Sequence, residues 1–163
     1  MTAATEHRIS VTRRVAAPAG SIFDLIADPR GHVAIDGSGM LVAAPDARPV
    51  TAVGDRFLMD MDREPLGDMP LGKYQVENLV TKLVPGRQLE WSVGATGRTP
   101  LGHVYGYLLA PVGADDTEVT SYCDWSGLSE KWLARTTWPV VPASALERSL
   151  ENLARIVTAR PAD

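Results

Sequence analysis

One cysteine, Cys123, is all the chain has among 163 residues, so no intramolecular disulfide can staple it. A lone thiol fits a reducing compartment, and a cytoplasmic location is the expectation. Histidine is also scarce, at three residues, and neither His nor Cys falls at metal-ligand spacing, so no structural zinc site is expected. Asp60, Asp62 and Asp68 lack the Gly and the final Glu of a calcium loop. Positive charge is not in excess: 16 Lys and Arg stand against 20 Asp and Glu, a net charge of −4. That balance leaves no basic footprint for nucleic acid or an anionic membrane. No apolar run approaches the about 20 residues of a membrane span, so no membrane insertion is expected. The polar stretch from Met1 to Arg8 lacks a signal peptide's apolar core. A Walker-type phosphate loop, a GxGxxG turn and a GxSxG elbow are all missing. The expectation is therefore a protein with no cofactor, no metal and no nucleic-acid partner.

What is present reads as one globular domain. Hydrophobic residues make up 45% and charged residues 22%, and the length suits a single core. The domain spans 1–163, with its core at about 7–158. The plainest local signal comes late: Leu146, Leu150, Leu153 and Val157 fall at i, i+4, i+7 and i+11, one stripe of an amphipathic helix. Ser144 and Glu147 have the spacing of a capping box at its start. Near the beginning, Ile9, Val11 and Val15 alternate with polar residues as a half-buried strand over 7–15. Pro18 then opens a short helix over 18–27, which must stop at Asp28 because Pro29 follows. Asp28 caps a second helical turn through Ile35.

From Gly39 the period changes to two. Strands are expected at 39–44, 55–62, 73–84, 87–95, 102–110 and 116–125, with a Pro/Gly-rich loop at 63–72 and a Pro85-Gly86 turn. Strands spaced so closely imply an antiparallel meander. Ser129 could cap a short helix carrying Trp132 and Leu133 before Pro139 and Pro142 interrupt the chain. The fold class is α+β, with a sheet whose apolar face must be covered by one long terminal helix.

Two constellations carry potential chemistry. His32 and Asp36 stand four apart, so on a continuous helix the carboxylate could orient the imidazole. The plainer account is that Asp36-Gly37-Ser38-Gly39 stops a helix and turns into a strand. His103, Tyr105 and Tyr107 share one face of a strand, beside Trp91 if the neighbouring strands form a hairpin. Pointing inward they form an aromatic wall with polar tips; pointing outward they are ordinary strand formers. The opposite face, Val104, Gly106 and Leu108, is too small to fill a core, which favours inward. Tyr74 and Asn78 place polar groups beside Val76 and Val80, while Phe57, Met59 and Met61 offer an apolar, adaptable lining. Cys123 reads as a small buried hydrophobe sharing a face with Ser121 and Trp125.

The order strand, two short helices, antiparallel meander and long final helix resembles the helix-grip fold. The stretches VAAPAGSIFDLIADPRGHVAIDGSG, LVPGRQLEW and DDTEVTSYCDWSGL agree with it. The chain thus resembles the polyketide cyclase/dehydrase-like branch of the START-like (SRPBCC) superfamily, over roughly residues 7–158. The resemblance implies a curved antiparallel sheet wrapped around the last helix and a cavity for polyketides, lipids, steroids or other apolar molecules. Three functions stay open. The leading one is binding of a hydrophobic or aromatic small molecule by Phe57, Met59, Met61, Tyr74, Trp91, Trp125 and Trp132. The second, implied by the resemblance, is cofactor-independent cyclisation, aromatisation or dehydration, with His103 or His32 (oriented by Asp36) moving protons and Tyr105 or Tyr107 stabilising an enolate. The third is a homodimerising module that places Trp132 and Trp138 at a subunit interface.

Overall fold

Prolines and alternating strands partition the chain much as their local chemistry requires. In the computed structural model, residues 1–159 are described, and the last four of the expected domain lie outside the described residues. A three-residue strand β1 (Thr2–Ala4), not expected from the sequence, precedes β2 (Arg8–Val15). Helix α1 (Ala19–Ala27) follows Pro18, which has no N–H to leave unpaired and sits extended at φ −61°, ψ 145°. Its stripe of Ile22, Leu25 and Ile26 is buried. Asp28 is extended, as a residue before proline must be, and its Oδ1 accepts the Arg30 N–H at 3.0 Å. One residue therefore ends α1 and caps α2 (Pro29–Ile35), setting the two short helices as a V.

The strands β3 (Leu41–Ala43), β4 (Arg56–Asp62), β5 (Lys73–Val84), β6 (Gln88–Ala95), β7 (Val104–Gly113) and β8 (Asp116–Asp124) follow. They join the first two in an eight-stranded antiparallel sheet of order β1-β2-β8-β7-β6-β5-β4-β3. A four-residue helix α3 (Glu130–Leu133) leads towards α4 (Ala143–Ala159). Leu146, Leu150, Leu153 and Val157 of α4 are all buried against the sheet and the first two helices. Full burial of each such leucine stabilises by about 1.5–3 kcal/mol. The expected capping box does not form. The helix already starts at Ala143, which puts Ser144 inside the first turn; the N–H groups of Ala145 and Leu146 reach the Pro142 carbonyl, and the Glu147 carboxylate accepts from Thr2 Oγ at 2.6 Å.

Register decides which side chains face α4. Leu89 lies opposite Tyr107, Trp91 opposite Tyr105, and Tyr105 and Tyr107 opposite Cys123 and Ser121. All belong to the concave, inner face. The outer face is not simply solvated at its centre, where Tyr122 is packed. That side chain is buried, and its hydroxyl donates to Glu90 at 2.6 Å while Gln88 donates to it at 3.0 Å. The Arg8 guanidinium lies 4.1 Å from its ring centre. Gly106 makes the room: a Cβ there would run into the Tyr122 ring. The small opposite face of β7 is thus a seat for an aromatic from β8.

Candidate functional site

One end of the sheet gathers the segments that border an opening. The C-terminal ends of β4, β6 and β8 meet the N-terminal ends of β2, β5 and β7 there, as the strand register requires. Around them lie residues 36–41, the β4–β5 loop, the β6–β7 loop and the α3 segment. Gly102 and Gly127 hold the last two together, since their backbones come too close to admit a Cβ on either. Between these segments, the inner sheet face and α4 is a cavity of about 630 Å³. That volume is within the range of small-molecule sites.

Most of the residues singled out from the sequence border this space. His32, Asp36, His103, Tyr105, Tyr107, Met59, Met61, Tyr74, Trp91 and Trp132 all line it. Phe57 and Trp125 do not. Phe57 lies edge-on to His32 and Trp91, and Trp125 stacks behind Trp138 with ring centres 6.1 Å apart. Alternation had assigned both to the correct face, but both sit in the packed core. Trp138, Asn78 and Arg63 line the cavity as well. Arg63 was hidden in what read as a loop, although it continues the inward parity of Phe57, Met59 and Met61.

Trp91 is the centre of the aromatic wall. His32 lies 4.7 Å from it, Tyr107 6.1 Å and Tyr105 6.5 Å, centre to centre. His103 stands 5.8 Å from Tyr105 and 4.8 Å from Trp138. His32 and Asp36 do not pair. The His32 Nε2–H donates to the Ile26 carbonyl at 2.6 Å. Asp36 lies past the end of α2, where its carboxylate accepts from Ser38 N and Oγ at 3.0 and 2.7 Å and from Leu41 N at 3.2 Å. The helix stops before a spacing of four can bring the two side chains together, so Asp36 closes a turn instead.

Burial governs the electrostatics. It pushes the His32 and His103 imidazoles down to about 4 and the Tyr105 and Tyr107 phenols up. All four are uncharged at neutral pH. Burial likewise pushes Cys123 up to about 12, leaving an unreactive thiol. The charged residues of the lining are Asp36, Arg63 and Arg135, and none of the lining residues is a lysine. Three buried polar atoms on lining residues have no partner: Asn78 Oδ1, His103 Nδ1 and Trp138 Nε1. Native interiors leave few such groups unpaired. The site can enclose an apolar body and offer hydroxyl and ring N–H groups at its rim. Among the described residues no cluster of His, Cys, Asp and Glu could hold a metal ion, and no helix is long and apolar enough to cross a membrane.

Solved structures superpose on nearly the whole chain. Protein Ms6760 from Mycobacterium smegmatis matches with a TM-score of 0.67 at 17% identity, covering 98% of this chain and 99% of that one. Norcoclaurine synthase from Thalictrum flavum, in complex with dopamine and hydroxybenzaldehyde, matches with a TM-score of 0.61 at 14% identity, covering 99% of this chain and 91% of that one. The fold is the helix-grip fold. No protein-family model matches the chain. In sequence, the uncharacterized protein Rv0088 of Mycobacterium tuberculosis is 30% identical over 151 residues, which cover 90% of this chain and 62% of that protein. A second uncharacterized protein from another strain of that species is 29% identical over the same length. The chain therefore spans about three-fifths of the length of the curated relatives it matches.

Proposed function

We propose that the protein binds an apolar, ring-containing small molecule in the cavity between the sheet and α4. The observation that carries this reading is the cavity itself, about 630 Å³ with an aromatic wall around Trp91 and uncharged hydroxyl and imidazole groups along it. Removal of apolar ligand surface from water supplies the affinity, and the polar tips set orientation. That norcoclaurine synthase, a neighbour in fold, was solved with two aromatic small molecules supports the ligand class by analogy.

The electrostatics favour binding over acid–base catalysis. A histidine held near 4 is a weak base at neutral pH, and phenols pushed upward donate hydrogen bonds rather than protons. A cofactor-independent cyclase would have to draw its rate chiefly from folding the substrate inside the cavity. The position of Trp132 and Trp138 in the lining also favours a pocket role for them over a subunit interface.

The test uses N-phenyl-1-naphthylamine, a neutral dye that brightens in apolar sites. It binds the wild-type protein, and Val76→Phe, which fills the cavity from the inner face of β5, weakens that binding at least tenfold. Val84→Phe, at an exposed position, leaves it unchanged. Absence of dye binding, or equal affinity in the Val76→Phe variant, overturns the reading.

A further inference from the structure

The inner face of β4 runs Phe57, Met59, Met61 and then Arg63, a cation where the alternation calls for another apolar residue. Arg63 is only 8% exposed and lines the cavity. Its backbone N–H donates to the Gly72 carbonyl at 2.9 Å, which closes the base of the β4–β5 loop and fixes the direction of the side chain. Its Nε and Nη2 donate to the two oxygens of Asp68 at 2.9 and 2.7 Å. Asp68 approaches from the loop, its side chain 36% exposed. That pairing uses one edge of the guanidinium and makes no use of Nη1.

The neighbours of Arg63 are hydroxyls. Tyr74 pairs with Met61 across the β4–β5 ladder, two residues before Arg63, and both it and Tyr105 line the cavity with Arg63. Asp36, the one carboxylate among the lining residues, is already held by Ser38 and Leu41. A second cation of the lining, Arg135, is exposed and stacks on Trp132 at 4.5 Å. Two arginines and one carboxylate thus border a largely apolar space, with Asp68 held against Arg63 from the loop outside that lining. A guanidinium offers planar, directed donors that match a carboxylate or sulfonate edge, and such charge-assisted bonds are about twice as strong as neutral ones.

We propose that Arg63, flanked by Tyr74 and Tyr105, anchors an anionic oxygen group at one end of the cavity ligand, so that the occupant is an aromatic or aliphatic acid. This rests on the ligand-binding reading above and names the substrate class for the same site. The acid's apolar body would lie along Trp91 and the methionines, with its charged end at the mouth, where least water is displaced from it.

Two dyes that differ by one sulfonate separate the proposals. N-phenyl-1-naphthylamine reports the apolar cavity alone, and 8-anilino-1-naphthalenesulfonate adds the anion. Arg63→Met weakens the sulfonated dye about tenfold more than the neutral one, the scale of one charge-assisted contact. Asp68→Asn keeps the arginine but removes the carboxylate that competes for it, and it tightens the sulfonated dye severalfold without a matching gain for the neutral dye. Equal losses for both dyes in Arg63→Met, or no gain for the sulfonated dye in Asp68→Asn, overturn the anchor. Should Arg63→Met fail to fold, the Asp68→Asn result decides alone. If the neutral dye binds but the anion preference is absent, only the anchor falls; if neither dye binds, the cavity reading falls as well.

Discussion

Acid should unfold this protein in two separable stages, and the first belongs to two histidines. His32, on α2, is buried against Phe57 and Trp91 with its Nε2 on the Ile26 carbonyl of α1, and His103 is buried against Tyr105 and Trp138. Burial holds each at about 4 instead of 6.5. The folded pKa is depressed, so the unfolded chain takes up protons first as pH falls. The stabilisation is complete above pH 6.5, is lost between about 6.5 and 4, and is gone below that window. At about 1.4 kcal/mol per pKa unit, each ring contributes about 3 kcal/mol at neutral pH. Together they amount to roughly half the net stability of an ordinary domain, about 5–15 kcal/mol. Asp28 and Asp68, held below the usual carboxylate range by Arg30 and Arg63, act in a lower window, beneath about 3.8. Urea unfolding followed by tryptophan fluorescence at pH 7.5, 6.5, 5.5 and 4.5 measures the first stage. The slope approaches two protons per molecule near pH 5, and His103→Phe brings it to about one. A flat profile from pH 7 to 4.5 would refute the reasoning. So would imidazole resonances titrating near 6.5 in a His7→Gln protein, where only the two buried rings remain.

Two further outcomes test the packing. Tyr122→Phe removes the hydroxyl that donates to buried Glu90 and accepts from Gln88, and should cost about 1.5–3 kcal/mol in chemical denaturation; a cost below about 0.5 kcal/mol would mean water already serves Glu90. Leu153→Ala, at a position with 0% exposure on the stripe of α4, should cost about 2–5 kcal/mol; a smaller loss would show the helix to be loosely seated.

The element order was legible because each boundary has a local cause. Pro18, Asp28-Pro29 and Pro85-Gly86 act through backbone sterics that no tertiary contact needs to supply, and the stripe of α4 is a property of spacing alone. Alternation also identified the inner face of β7. It could not report depth, which is why Phe57 and Trp125, correctly placed on their face, proved to be packing behind the cavity. The His32–Asp36 spacing misled because it presumes an unbroken helix, whereas α2 stops at Ile35. Arg63 was obscured by Pro65 and the glycines after it, which make 63–72 read as loop; extending the parity of β4 by one step would have exposed it. Strand β1 has only three residues and no internal pattern, and its pairing with β2 is the sole reason it is a strand.

The seam between β2 and β8 bears on how the molecule is made. Arg8 and Asp124, bonded at 3.3 Å, are 116 residues apart along the chain, and every rung from Arg8 to Val15 closes a loop of comparable size. Such distant pairings form slowly, because ordering entropy is lost before contacts compensate for it. On the ribosome β2 is made long before β8 and has only the three-residue β1 beside it until β8 emerges. Its alternating Ile9, Val11 and Val15 are exposed to other chains throughout that interval. In the finished fold α4 packs against β2, so those side chains wait for the last helix as well as for β8, and the nascent protein carries an aggregation hazard until its final segment has been made.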